Sequence, residues 1–179
     1  SVLHKHAHYR DFLKIATEEE KSFLVFASIR NPLDIIVTRY FKRKTDHEGF
    51  YSKTEHWQKF GGHVTNKALS EFRFIQEHNA DYATYFRRFF RYPHDSWGCP
   101  SPADFHFVIR YENLQDDFAE LLRRLGIPQV RPLPLTNKTA GKKANFWSYY
   151  PPEVRKQAVW CFGPYLDLWG YQFPPEWGV

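Results

Sequence analysis

Apolar positions divide the chain into helical stretches and two short continuous runs. Tyr9, Phe12, Leu13 and Ile15, with Arg10, Asp11 and Lys14 between them, predict a short helix over 9–16. Phe23 to Ala27 is an apolar run that breaks at Arg30-Asn31-Pro32. Leu33, Ile36, Val37 and Tyr40 then follow at helical spacing. This predicts a buried strand, a tight loop and an amphipathic helix, with Pro32 in the first turn, where its missing N–H is harmless. Leu69, Phe72, Phe74 and Ile75 predict a helix over 66–78. Tyr82, Tyr85, Phe86, Phe89 and Phe90 predict another over 81–92, its aromatic face suited to core packing. Arg87, Arg88 and Arg91 lie between those aromatics, either as a solvated side or facing an anionic acceptor. Phe105 to Tyr111 is a second run suited to a buried strand. Phe118, Leu121, Leu122 and Leu125 then recur at helical spacing and end at Gly126 and Pro128. Val154, Ala158, Val159, Phe162 and Leu166 predict a last helix over 152–168, stopped at Trp169-Gly170-Tyr171. Residues 45–60, 92–104 and 130–145 read as loops, the second rich in Pro and Gly and of the kind that covers a site.

Strand–helix alternation predicts an α/β domain around a parallel sheet, and 179 residues fit one domain. The formal charge of +5 suits an anionic ligand. The basic residues are scattered, apart from 39–44 and 87–91, so nucleic acid is not the expected partner. The two cysteines, Cys99 and Cys161, make no disulfide framework. No CxxC or Cys/His cluster suggests zinc, so no metal is expected. No apolar run approaches the roughly 20 residues of a membrane-spanning helix. These features lead us to expect a reducing, cytoplasmic setting, or the Golgi lumen if an anchor precedes Ser1. The start at Ser1 without an initiator Met leads us to expect a fragment or processed product. The oligomeric state is not legible.

The candidate chemistry is basic and aromatic. Arg30 sits where a strand gives way to a loop, the place where open α/β sheets bind ligands. Thr38 lies eight residues on, in the following helix. An arginine fork and a hydroxyl on a strand–helix unit suit a phosphate. Equally, they suit an arginine that ends a strand and a threonine satisfied in its own helix. His4, His6 and His8 alternate, which could present a common face if extended, or leave three surface imidazoles. Lys138, Lys142 and Lys143 surround Gly141 in a loop fit to grip a phosphate or simply to be solvated. Asn137-Lys138-Thr139 is a glycosylation sequon, meaningful only in a secreted protein.

The order of these features resembles the sulfotransferases that use 3′-phosphoadenosine 5′-phosphosulfate. Arg30-Asn31-Pro32, a helix with Thr38 and then an aromatic is similar to that family's 3′-phosphate motif. Tyr111-Glu112-Asn113-Leu114 between a strand and a helix resembles its late signature, which implies that Tyr111 lies near the adenine. The basic loop implies Lys138, Lys142 and Lys143 as further contacts to the 3′-phosphate. His4-x-His6, then Tyr9-x-Asp11-Phe12, resembles uronyl 2-O-sulfotransferases, which implies His4 and His6 as the catalytic pair. The tail over 148–171 is similar to the family's C-terminal end. The resemblance implies a three-layer α/β/α domain of the P-loop-NTPase-like kind around a parallel sheet. It implies sulfuryl transfer to a hydroxyl of a small-molecule or glycan acceptor. No GxxxxGK[ST] loop occurs between Ser1 and Val179, so the family's first strand–loop–helix is expected to lie outside this chain. A binding module that keeps the fold without the chemistry is the alternative. A kinase fragment is a more distant one, unsupported by any Walker lysine.

Overall fold

A computed structural model describes residues 8–53, 55, 64–94, 101–134 and 139–179. Contacts divide the chain into two compact units, Ser1–Arg30 with Asp95–Pro134 and Asn31–His94 with Leu135–Val179.

In the first unit, helix α1 (Tyr9–Ile15) and the one-turn helix α2 (Glu18–Lys21) precede strand β1 (Phe26–Ile29). The sequence reading has no α2, although Thr17-x-x-Glu20 spells out a capping box. The Thr17 hydroxyl accepts the Glu20 N–H, and the Glu20 carboxylate accepts the Thr17 N–H. Strand β2 (Phe107–Arg110) pairs with β1 in parallel, from Phe26 opposite Phe107 to Ile29 opposite Arg110. Helix α6 (Leu114–Arg124) returns against β2, and Gly126 closes it at φ +68°, where glycine pays no Cβ penalty. The Gln115 amide clamps the chain that follows. Its Nε2 donates to the Leu133 carbonyl at 2.8 Å, and its Oε1 accepts the Leu133 N–H at 3.0 Å.

Two expectations are corrected here. The first strand begins three residues later than the apolar run, and it is not buried: Phe26 is 49% exposed and β1 has no fully buried residue. Among the described residues β1 pairs only with β2. The mixture of helix with a small parallel sheet is nonetheless α/β.

The second unit is helical. Its core joins α3 (Pro32–Lys44), α4 (Asn66–Glu77), α5 (Tyr82–Phe89) and α7 (Pro152–Trp169). Three of these helix starts are capped by side chains: Asn31 Oδ1 accepts the Leu33 N–H, Thr65 Oγ1 that of Ala68, and Asp81 Oδ1 that of Thr84, while α7 starts at Pro151-Pro152. Leu33, Val37, Tyr85, Phe86, Val154, Ala158 and Leu166 are completely buried. The aromatic face of α5 is therefore core, and Arg87, Arg88 and Arg91 point outward, exposed.

Several polar groups inside this core meet one another. Glu71, fully buried on α4, forms an ion pair with Arg43 Nε of α3 at 2.8 Å and accepts from the Tyr85 hydroxyl of α5 at 2.9 Å. The Gln76 amide donates to the Arg43 and Lys44 carbonyls at the end of α3. Tyr82 donates to the Tyr150 hydroxyl, which donates to the Leu33 carbonyl at 2.9 Å. Burial raises the pKa of Tyr82, Tyr85 and Tyr150 well above the ordinary phenol value.

Candidate active site

The register of the first unit positions two of the predicted residues. Ile29 lies opposite Arg110, so Arg30 and Tyr111 are the residues that leave the two strands at the same, C-terminal end. There the Arg30 guanidinium lies over the Tyr111 ring, 4.1 Å from its centroid. This is close for a cation–π contact and fixes a long side chain that would otherwise sample many rotamers. Tyr111 is 49% exposed, so its ring stays reachable from solvent. The Arg110 N–H donates to Asp117 Oδ2 at 2.6 Å, which ties the end of β2 to α6 and holds the turn carrying Tyr111.

His106 lies one residue before β2. Its Nδ1 accepts the Val25 N–H at 3.0 Å, and its backbone N–H donates to the Val25 carbonyl at 2.8 Å. A ring nitrogen that accepts is unprotonated, so in the neutral ring Nε2 carries the hydrogen. His106 thus has its basic lone pair committed to the backbone. His4 and His6 lie outside the described residues. Downstream of them His8 is exposed at the start of α1, where its carbonyl accepts the Asp11 and Phe12 N–H groups. The Tyr9 ring lies 6.0 Å from Phe105, so α1 docks within the same unit.

The second unit holds Thr38 and the lysine loop. Thr38 is half-buried, the seventh residue of α3. Asp34, one turn earlier on the same face, is 6% exposed and forms an ion pair with Lys142. Gly141 sits at φ +75°, and a Cβ there would come within 3.3 Å of Phe41 on α3. The Lys143 N–H donates to the Tyr149 hydroxyl at 2.8 Å, and the Tyr149 ring packs edge-on against Phe41. The basic loop is therefore fastened along α3, with the Lys142 ammonium held by a carboxylate and Lys143 exposed. Lys138 lies outside the described residues.

The structure thus brings Arg30 to Tyr111 within one unit, and Lys142 to the helix of Thr38 within the other. Sequence reasoning missed Asp34 and Tyr149. Asp34 had a signal, since an acid in the first turn is the ordinary complement of a helix N-terminus. Nothing local tied it to a lysine over a hundred residues away.

A parallel strand pair with helices makes this an α/β protein, and the C-terminal end of that pair carries the stacked Arg30 and Tyr111. The comparison with known families agrees: the family model described as "Sulfotransferase family" matches residues 2–159, and the chain belongs to that family, an enzyme of sulfuryl transfer. No curated protein and no solved structure matches the chain.

Proposed function

We propose that this protein transfers a sulfuryl group from 3′-phosphoadenosine 5′-phosphosulfate to a hydroxyl of a carbohydrate. The observation that carries the proposal is the Arg30 guanidinium stacked on Tyr111 at the C-terminal end of the parallel pair. A planar fork held ready by a neighbouring ring loses little entropy when it grips a phosphate in two hydrogen bonds. The exposed tyrosine beside it offers a purine an aromatic surface.

In this reading Arg30 and Thr38 bind the 3′-phosphate, Tyr111 faces the adenine, and Lys138, Lys142 and Lys143 form the basic loop. Asp34 already neutralises Lys142, so Lys143 is the described lysine best placed to turn toward an anion. The bound donor supplies the sulfuryl group, and adenosine 3′,5′-bisphosphate is released. His4 or His6 takes the acceptor's hydroxyl proton as the new oxygen–sulfur bond forms and the sulfur–phosphate oxygen bond breaks. Histidine titrates in the range that role requires. The carbohydrate acceptor, and its uronyl character, are supported by the His4-x-His6 and Tyr9-x-Asp11-Phe12 pattern. We further take residues 1–179 as one domain of three-layer α/β/α type, because the family match runs through both units.

A sulfate-transfer assay with radiolabelled donor tests this. Uronate-containing glycans, neutral glycans and simple phenols serve as acceptors. Label on the uronate-containing glycans above the other two is the expected result. Label on phenols alone would overturn the carbohydrate assignment, and no label on any acceptor would contradict the transfer reading.

A further inference from the structure

The second unit carries a groove between α4 and α5 that the reading above does not use. It encloses about 480 Å³ and is lined by Asn66, Leu69, Ser70, Arg73, Phe74, Glu77, His78 and Arg88. Arg73 and Arg88 are exposed, and no ion pair to either guanidinium occurs among the described residues. Glu77, at i+4 from Arg73 on the same helix, is not drawn to it either. Two forks thus face one cavity with their hydrogen-bonding edges available.

The lining selects among anions. A phosphate would gain from the two arginines but would bring few donors to the Glu77 carboxylate and no apolar face to Leu69. A nucleic acid would want an aromatic face for stacking. The Phe74 ring is already stacked by the His78 imidazole, 4.7 Å away between centroids, with Arg88 6.0 Å from its centre. A saccharide that carries acid groups uses the whole set. Its carboxylate or sulfate meets the arginine forks. Its hydroxyls, which donate as well as accept, meet Glu77, the Asn66 amide and the Ser70 hydroxyl, and Leu69 covers a C–H face.

We propose that this groove is a binding site for an acidic oligosaccharide, with Arg73 and Arg88 as its anionic anchors. The proposal deepens the carbohydrate reading of the acceptor, yet its test needs neither donor nor turnover.

The test is calorimetry of the full chain with a size-defined, uronate-containing sulfated hexasaccharide. Its carboxyl-reduced, desulfated counterpart, a neutral hexasaccharide and single-stranded oligothymidylate are titrated alongside. The acidic hexasaccharide is expected to bind, the two uncharged ones very weakly. The double variant Arg73→Gln/Arg88→Gln should lower affinity for it by roughly a hundredfold, since each charge-assisted contact is worth about tenfold or more. Arg123→Gln/Arg124→Gln, the same charge change on α6, should lower it only slightly. Equal losses in the two double variants would show that net charge and not the groove binds the saccharide. Tighter binding of oligothymidylate, lost in the groove variant, would overturn the choice of ligand. Far-ultraviolet circular dichroism confirms that both variants fold. Binding of the hexasaccharide without binding of adenosine 3′,5′-bisphosphate would leave the groove standing and remove the transferase reading. The reverse pattern would remove the groove alone.

Discussion

Arg30 and Tyr111 meet because each is the residue that follows a strand of a parallel pair. That much was legible, since both stand where an apolar run gives way to a loop. Their mutual contact was not, because a spacing of eighty-one positions carries no local signal. Asp34 shows the same limit: its helix position is readable, its partner Lys142 is not. His106 is the instructive case for the proton-transfer role. Its Nδ1 is spent on the Val25 N–H, so His106→Ala should loosen the start of the strand pair and leave turnover largely unchanged. By contrast, whichever of His4 and His6 is the base should lower turnover by about 10²–10⁴-fold on change to Ala, with nucleotide affinity kept. Steady-state kinetics with parallel nucleotide calorimetry separates these outcomes. A loss of that size in His106→Ala alone would move the base to His106.

Among the elements, the starts of α4, α5 and α7 were read within a residue or two, whereas α5 ends three residues before the expected point. The strand β1 was displaced because an apolar run reports hydrophobicity, while pairing partners decide which residues extend. The joint between α3, α4 and α5 rests on an interaction that hydrophobic pattern hides, the Arg43–Glu71 pair with Tyr85. Breaking it leaves a carboxylate with no exposure to water. Arg43→Met should therefore destabilise the fold by about 3–5 kcal/mol, and Arg43→Met/Glu71→Leu should recover much of that loss. Urea denaturation of the two variants measures it. A double variant no more stable than the single one would show that the pair contributes through more than mutual neutralisation.

For the molecule as a whole, the division into two units was not legible, and the reason is specific. The boundary falls between Arg30 and Asn31, inside a strand–loop–helix that reads as one local motif. Local periodicity cannot report which distant segments a strand and a helix each join. The buried tyrosines give a global prediction. Tyr82, Tyr85 and Tyr150 are kept neutral chiefly by burial, with pKa values well above the ordinary 10.0. Groups whose pKa is higher folded than unfolded stabilise the fold fully below pH 10 and lose that contribution as pH rises toward their folded values. Alkaline titration should thus show ordinary ionisation of exposed tyrosines first. A late step should follow that coincides with loss of circular dichroism. Ionisation of every tyrosine near pH 10 with the fold intact would contradict the packed aromatic core.

The central claim is that Arg30 reads the 3′-phosphate of the nucleotide. Its most direct test is calorimetry of the full chain and of Arg30→Ala with adenosine 3′,5′-bisphosphate and adenosine 5′-phosphate. A charge-assisted hydrogen bond contributes about 1.5–3 kcal/mol, so Arg30→Ala should weaken the bisphosphate by about ten- to a hundredfold. The monophosphate, which lacks the 3′ group, should be much less affected. Equal losses for the two nucleotides, or none for either, would contradict the account.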